Sequence, residues 1–260
     1  MKIPQTIVWL LCALPAPILA QPQIGGGTCS TATLNGMYSL TLTGRDVGSS
    51  VTFSKTVQGI GTASFDGVSR VTFALTDNTN QASGTALTLS GTYTMQSNCV
   101  GAIAISVGDT ATFQLESYNT GKAYLLSGQD GVYSYSGGGN TLPATCMASQ
   151  LSGTYEFGGN GYTLASGSVA GVNNVLGLLQ FDGKSAVSGT WYVSVNGGTT
   201  TLTTSGQFTV AAGCTASASL TDAAGNAYTL IFTITSADGS NFAIGGSSAT
   251  LVFSGSGRTI

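Results

Sequence analysis

From about residue 30 onward, apolar and polar residues take turns. In 51–57, Val51, Phe53 and Val57 alternate with Thr52, Ser54 and Thr56, and only Lys55 breaks the apolar set. Val71, Phe73 and Leu75 continue the pattern, then Leu87, Leu89, Tyr93 and Met95, then Ile103, Ile105 and Val107, then Phe113 and Leu115. A period of two with one apolar face and one Thr/Ser face predicts half-buried antiparallel strands. No stretch of this region shows the 3.6-residue period of a helix. The runs predict strands near 36–43, 51–57, 59–65, 70–76, 85–96, 100–107, 111–118 and 122–136. The 51–65 stretch also reads as one long bent strand, and 122–136 divides at Asp130-Gly131. Asp66-Gly67, Asn119-Thr-Gly121 and Asp130-Gly131 supply the positive φ angles that tight hairpins need. Later in the chain Asn160-Gly161, Asp182-Gly183, Asn196-Gly-Gly198 and Asp238-Gly239 are read the same way.

The pattern occurs twice. Cys29, Leu34, Gly36 and Tyr38 return as Cys146, Leu151, Gly153 and Tyr155. "SFDG" at 64–67 returns as "QFDG" at 180–183, and "GTYTMQSNC" at 91–99 as "GQFTVAAGC" at 206–214. Self-similarity over a whole-domain length reads as two copies of one unit. The expected units are 29–136 and 146–257, joined at 137–145, where Gly and Pro break regular structure. Hairpin after hairpin with no long crossover predicts an all-β chain of two tandem, roughly eight-stranded antiparallel up-and-down barrels of calycin-like type. Closing each sheet removes its edges.

The first twenty residues change the compartment. Lys2, the apolar run Ile7 to Leu14 and the small residues ending at Ala20 have the layout of a secretory signal peptide, residues 1–20. The run is too short to span a bilayer, and no later segment is apolar for long enough. Charged residues are only 7% of the chain, net charge is −3 and there is no His. No basic patch exists for nucleic acid or an anionic membrane surface. An outer-membrane barrel would carry aromatic girdles, whereas aromatics are only 8% of the chain, which ends in Arg258-Thr-Ile260.

Behind the leader stand four cysteines, Cys29, Cys99, Cys146 and Cys214. Four allow three pairings. The repeat selects Cys29–Cys99 and Cys146–Cys214, because equivalent residues should be equally close in each unit. An oxidising compartment favours such links. Zinc is the rival, but there is no CxxC pair and no His to hold it.

Candidate chemistry is sparse. Lack of His excludes the common Ser-His-Asp and Cys-His constellations, and no metal or other cofactor is expected. "FDGKS" at 181–185 looks like the end of a phosphate loop, but the earlier Gly177 is misplaced and the stretch reads as a hairpin. Asp66, Asp130, Asp182 and Asp238 read as turn formers. Glu116 and Glu156 are the only glutamates, both on polar faces of strands. Two carboxylates could run a glycosidase, but nothing places these two together.

"SGTWYVSV" at 188–195 and "LSGTYEF" at 151–157 resemble the "GTWY" strands of avidin-type barrels in the calycin group. Avidin-type pockets use several tryptophans, and here Trp191 alone could serve. More broadly, Gly36, Tyr38, Phe65, Asp66, Gly67, Gly91, Tyr93, Cys99 and their counterparts make the chain similar to secreted bacterial tandem-repeat β-barrel proteins of unassigned activity. That resemblance implies a small barrel and no particular chemistry.

Three functions stay open. The first is a secreted (extracellular or periplasmic), non-enzymatic binding protein for an unknown small molecule or a surface glycan or protein. Large residues such as Tyr38, Phe53, Phe65 and Phe73 favour filled barrels, so its site would lie at a barrel mouth. The second is a structural or surface-interaction protein, adhesive or matrix-forming, with outer faces such as Thr199 to Thr204. The third is a barrel-type cyclase or isomerase using Tyr and Glu.

Overall fold

The computed structural model describes residues 28–47, 56–77, 84–166 and 168–260. The expected signal peptide at 1–20, and Val51, Phe53 and Lys55, lie outside these residues. Eight strands close the first barrel: β1 (Asn35–Asp46), β2 (Thr56–Asp66), β3 (Arg70–Asp77), β4 (Thr85–Met95), β5 (Val100–Val107), β6 (Ala111–Tyr118), β7 (Ala123–Gln129) and β8 (Tyr133–Asn140). Eight more close the second: β9 (Ser152–Ala165), β10 (Ser168–Asp182), β11 (Ala186–Val195), β12 (Gly198–Val210), β13 (Thr215–Asp222), β14 (Ala227–Ile234), β15 (Asn241–Ser247) and β16 (Leu251–Thr259). Every pairing is antiparallel, and all but the two closing ones join sequence neighbours. Closure comes from β1 on β8 (Thr41↔Gly138) and β9 on β16 (Phe157↔Gly257). No helix among the described residues is long and apolar enough to cross a membrane.

The apolar faces point inward, except that Val107, read with Ile103 and Ile105, is exposed beyond the register shift at Ser90/Gly91. In barrel 1, Tyr38, Phe65, Tyr93 and Tyr124 form an edge-to-face cluster with centroids 5.1–5.6 Å apart. In barrel 2, Phe181 packs on Tyr155, Phe208 and Phe232 at 5.5, 5.0 and 5.7 Å. Such pairs contribute about 0.5–1.5 kcal/mol each beyond their buried area. The interiors are therefore filled by rings, which leaves the outer surface as the place for chemistry. Three buried tyrosines of barrel 1 spend their hydroxyls on the backbone. Tyr38 donates to the Gly121 carbonyl at 2.7 Å, Tyr124 to Ser39 at 2.9 Å and Tyr93 to Thr31 at 2.7 Å.

Cys29 bonds to Cys99 and Cys146 to Cys214, one disulfide per barrel, as the repeat implies. Each ties the segment before the first strand of a barrel to the turn between its fourth and fifth strands. The sequence separations are 70 and 68. Loops of that size correspond to roughly 4 kcal/mol of chain entropy apiece.

Three expectations need correction. The run Gly137–Asn140, read as a linker, is the end of β8 and pairs with β7, while Gly137 and Gly138 also pair with β1. Its glycines are there because the barrel is crowded: a Cβ on Gly139 would run into the Ser39 carbonyl. Only 141–145 and the cysteine-bearing segment after it connect the barrels. Asn160-Gly161, read as a turn, lies inside β9, where a Cβ on Gly161 would meet Cβ of Phe253 at 2.8 Å. Thr204, counted with the outer Thr array, points inward and is 2% exposed. The 122–136 run does divide, into β7 and β8, and β2 is one strand over 56–66.

The barrels pack side by side. Gln58, Ile60 and Thr62 point out of barrel 1, yet they are buried, because β14, β15 and β16 cover them. Ile60 sits over Gly245, where an added Cβ would lie 2.8 Å from its Cγ2. The Thr233 hydroxyl donates to the Gly61 carbonyl at 3.1 Å, and the Ser254 hydroxyl to Gln58 Oε1 at 2.6 Å.

Candidate functional site: the groove along the seam

Alternation decides which residues border the seam. On β1, Tyr38, Leu40 and Leu42 face the core, so Ser39, Thr41 and Thr43 face out. Their hydroxyls are clipped to β8: Ser39 Oγ accepts from the Asn140 N–H at 2.9 Å, and Thr41 donates to the Gly138 carbonyl at 3.2 Å. On β9, Tyr155 and Phe157 face in, so Glu156, Gly158 and Asn160 face out. On β16 the outward set is Ser254, Ser256 and Arg258. Register lines these up as Arg258–Glu156–Leu178, Ser256–Gly158–Leu176 and Ser254–Asn160–Asn174.

These two outer faces meet at an open groove. Its largest part, about 950 Å³, is lined on one side by Thr41, Lys122, Leu125 and Asn140 and on the other by Glu156, Gly158, Leu176 and Arg258. Through Thr41, Gly137, Gly255 and Ser256 it adjoins a smaller space of about 330 Å³. Thr43, Ser136 and Ser254 lead from there into a third part, about 870 Å³, bordered by Arg45, Asn160, Tyr162 and Asn174. The result is one trough running along the seam, with both barrels as walls.

Its electrostatics are mild. Arg258 Nε donates to Glu156 Oε1 at 2.6 Å, but the side chains are 72% and 41% exposed. An exposed pair of this kind is worth about 0–1 kcal/mol, so it orients the guanidinium rather than holding the fold. Lys122 has no ion-pair partner among the described residues. Leu125 and Leu176, one from each wall, are 49% and 62% exposed. Beyond Leu176 the apolar strip continues over Leu178 and Tyr192 on the outside of barrel 2.

The residues singled out in the sequence fall in different places. Glu156 borders the groove, while Glu116 lies on β6 opposite Leu125 and Val100, outside the groove lining. The turn aspartates do turn work. Asp66 Oδ1 accepts from the N–H groups of Val68, Ser69 and Arg70 at 2.8–2.9 Å, and Asp182 Oδ1 from Lys184, Ser185 and Ala186. Those bonds hold both carboxyls below the usual carboxylate range. They also make "FDGKS" a hairpin. Trp191 is fully buried between Phe157, Tyr228 and Phe253. Two of the core tyrosines are poor acid–base groups: burial pushes Tyr124 well above its ordinary value and Tyr93 up to about 12.

Among the described residues, both barrels bury unpartnered polar atoms, Ser117 Oγ in barrel 1 and three in barrel 2. Trp191 Nε1, Thr204 Oγ1 and Asn173 Oδ1 have no hydrogen-bond partner. The corresponding register places in barrel 1 hold Leu75, Leu89 and Val57.

Sequence reasoning missed the groove because its walls come from outward positions far apart in the chain. One signal was available: Ile60 is an apolar residue on the Thr/Ser face of its strand, which marks a covered outer surface.

Two closed, ring-filled barrels sharing a polar trough define the class to which the chain belongs by architecture. No family model and no curated protein matches it. Among solved structures, a protein of unknown function from the DUF3598 family of Nostoc punctiforme is 8% identical, with a TM-score of 0.28, covering 88% of this chain and 97% of its own. The isotype 1 transferrin binding protein B of serogroup B Neisseria meningitidis is also 8% identical, with a TM-score of 0.30, covering 87% and 77%. Likeness at this level does not bear on what the chain binds.

Proposed function

We propose that this is a non-enzymatic binding protein of an oxidising compartment, extracellular or periplasmic, and that it holds its ligand in the seam groove. The observation that carries the reading is the groove itself, built jointly by two barrels whose interiors are already full. Ligand sites are typically concave spaces of about 300–1,000 Å³ with a few converging polar groups, and the main part of the trough is of that size. The two disulfides support the compartment, since such links persist where thiols are oxidised. The chain's lack of His and its separated glutamates support binding over catalysis.

Gly158 offers the decisive variant. A Cβ there meets nothing nearer than Leu176 Cδ1 at 3.7 Å, so Gly158→Phe should fold while filling the trough floor. Mass spectrometry of what co-purifies with the wild-type protein, and not with Gly158→Phe, tests the site. Equal capture by both would refute it. A broad fluorogenic panel tests the other half: turnover that survives repurification and is lost in Glu156→Gln or Glu116→Gln would make the protein an enzyme.

A surface-interaction role has one observation of its own. Thr199, Thr201 and Thr203 stand exposed on β12, with Thr201 beside Tyr192 and, beyond it, Leu176. That face is continuous with the groove.

A further inference from the structure

Resting on the seam groove as the binding site, we propose that its ligand is a neutral oligosaccharide lying lengthwise along the seam in contact with both barrels. Shape is the first argument. Three adjoining spaces share their border residues, so the site is a long open trough suited to a chain rather than a closed pocket suited to a compact molecule.

The chemistry of the walls is the second. Asn119, Asn140 and Asn241 and the hydroxyl of Ser256 line the main part. An amide offers both donors and an acceptor, and a hydroxyl is both at once. Sugar hydroxyls are donors and acceptors in the same way, so each finds a partner without a charge being buried. Leu125 and Leu176 add a small apolar surface on each wall for the C–H faces of pyranose rings.

Charge argues for neutrality. The charged groups bordering the trough are Arg45, Asp46, Lys122, Glu156 and Arg258, mixed in sign and with Arg258 held by Glu156. The chain carries −3 overall, so the field beyond the groove does not attract a polyanion. An extended peptide fits less well. Peptides commonly bind by adding a strand to a sheet edge, and both sheets here are closed. The apolar positions are exposed leucines, not pockets for side-chain anchors.

The test uses the full chain and titration calorimetry with defined probes: di- and hexasaccharides of β-1,4-linked glucose and of N-acetylglucosamine, and galacturonate hexamer with its methyl ester. We expect a neutral hexasaccharide to bind more tightly than its disaccharide, because only the longer chain reaches from the main part into the adjoining spaces. Asn140→Ala on barrel 1 and Ser256→Ala on barrel 2 should each weaken it about two- to tenfold, the loss of one hydrogen bond. Gly158→Phe, with unchanged circular dichroism, should weaken it more than tenfold. Failure of every neutral hexasaccharide to bind, or binding of galacturonate that methyl esterification abolishes, overturns the proposal. If no sugar binds but Gly158→Phe still loses another co-purifying ligand, the sugar assignment fails and the groove stands. Sugar binding that Gly158→Phe leaves untouched brings down both.

Discussion

Ile60 faces away from its own barrel, so its energetic weight reports whether the two barrels behave as one body. It is 1% exposed, and its Cγ2 lies 2.8 Å from where a Cβ on Gly245 of the other barrel would be. Truncating a packed isoleucine to alanine costs about 2–5 kcal/mol, through lost burial and the cavity left behind. On a free surface the same change falls within about 0.5 kcal/mol. Ile60→Ala should therefore destabilise the protein by about 3 kcal/mol. The loss cannot exceed the docking free energy, since barrels can part rather than keep a void. The assay is urea unfolding followed by fluorescence of Trp191, in a chain lacking residues 1–20 so that no other tryptophan remains. Because Trp191 reports barrel 2 while Ile60 belongs to barrel 1, its midpoint moves only if docking couples them. A second substitution sharpens the test. Gly245→Ala alone overpacks the seam and should cost about 1–3 kcal/mol. In the Ile60→Ala background the new methyl meets Cβ at 3.4 Å and fills vacated space, so it should be neutral or stabilising. The coupling energy should then exceed about 1 kcal/mol. A Trp191 midpoint unmoved by Ile60→Ala, or additive effects in the cycle, would refute the docked arrangement.

Further outcomes follow from other parts of the molecule. Thr204→Val replaces an unpartnered buried hydroxyl with an apolar group of similar shape, and should raise stability in urea by up to about 1 kcal/mol; a loss of more than that would mean the hydroxyl has a partner. Replacing Cys146 and Cys214 together by Ala should lower stability by up to about 4 kcal/mol, given their separation of 68 residues, as read by the Trp191 transition. Asp238 is held down to about 2 by the Ser240 hydroxyl and N–H and by Ser236. A depressed carboxyl contributes stability that is present above its unfolded pKa near 4 and is lost as pH falls toward 2. The urea midpoint should therefore fall between pH 5 and pH 2 more steeply in the wild type than in Asp238→Asn, and parallel curves would count against this role.

Much was legible in the chain because it is written locally. A two-residue period is a property of the strand itself, so Val71, Phe73 and Leu75 declared their core face without knowledge of any partner strand. Asp66-Gly67 and Asp182-Gly183 declared their turns, since a carboxylate bonding the next N–H groups and a residue at positive φ act within five positions. The cysteine pairs followed from like residues occupying like places. Glycine was ambiguous for a physical reason. Gly137–Gly139 and Gly161 look like breaks in sequence, yet they sit inside strands because bulky neighbours or carbonyls leave no room for a Cβ, and those neighbours arrive from distant strands.

The groove lay wholly beyond local reading. Lys122 and Asn140 meet Glu156 and Arg258 only because Gln58, Ile60 and Thr62 dock on β14 to β16, and nothing in a single strand encodes that. The sequence by itself determined most of the strands, turns and inward faces, and the cross-links, all set by contacts within a few residues or by the repeat. The tertiary structure alone decided which outward faces meet, and with them where a ligand could lie, because that depends on two surfaces packing across the whole length of the chain.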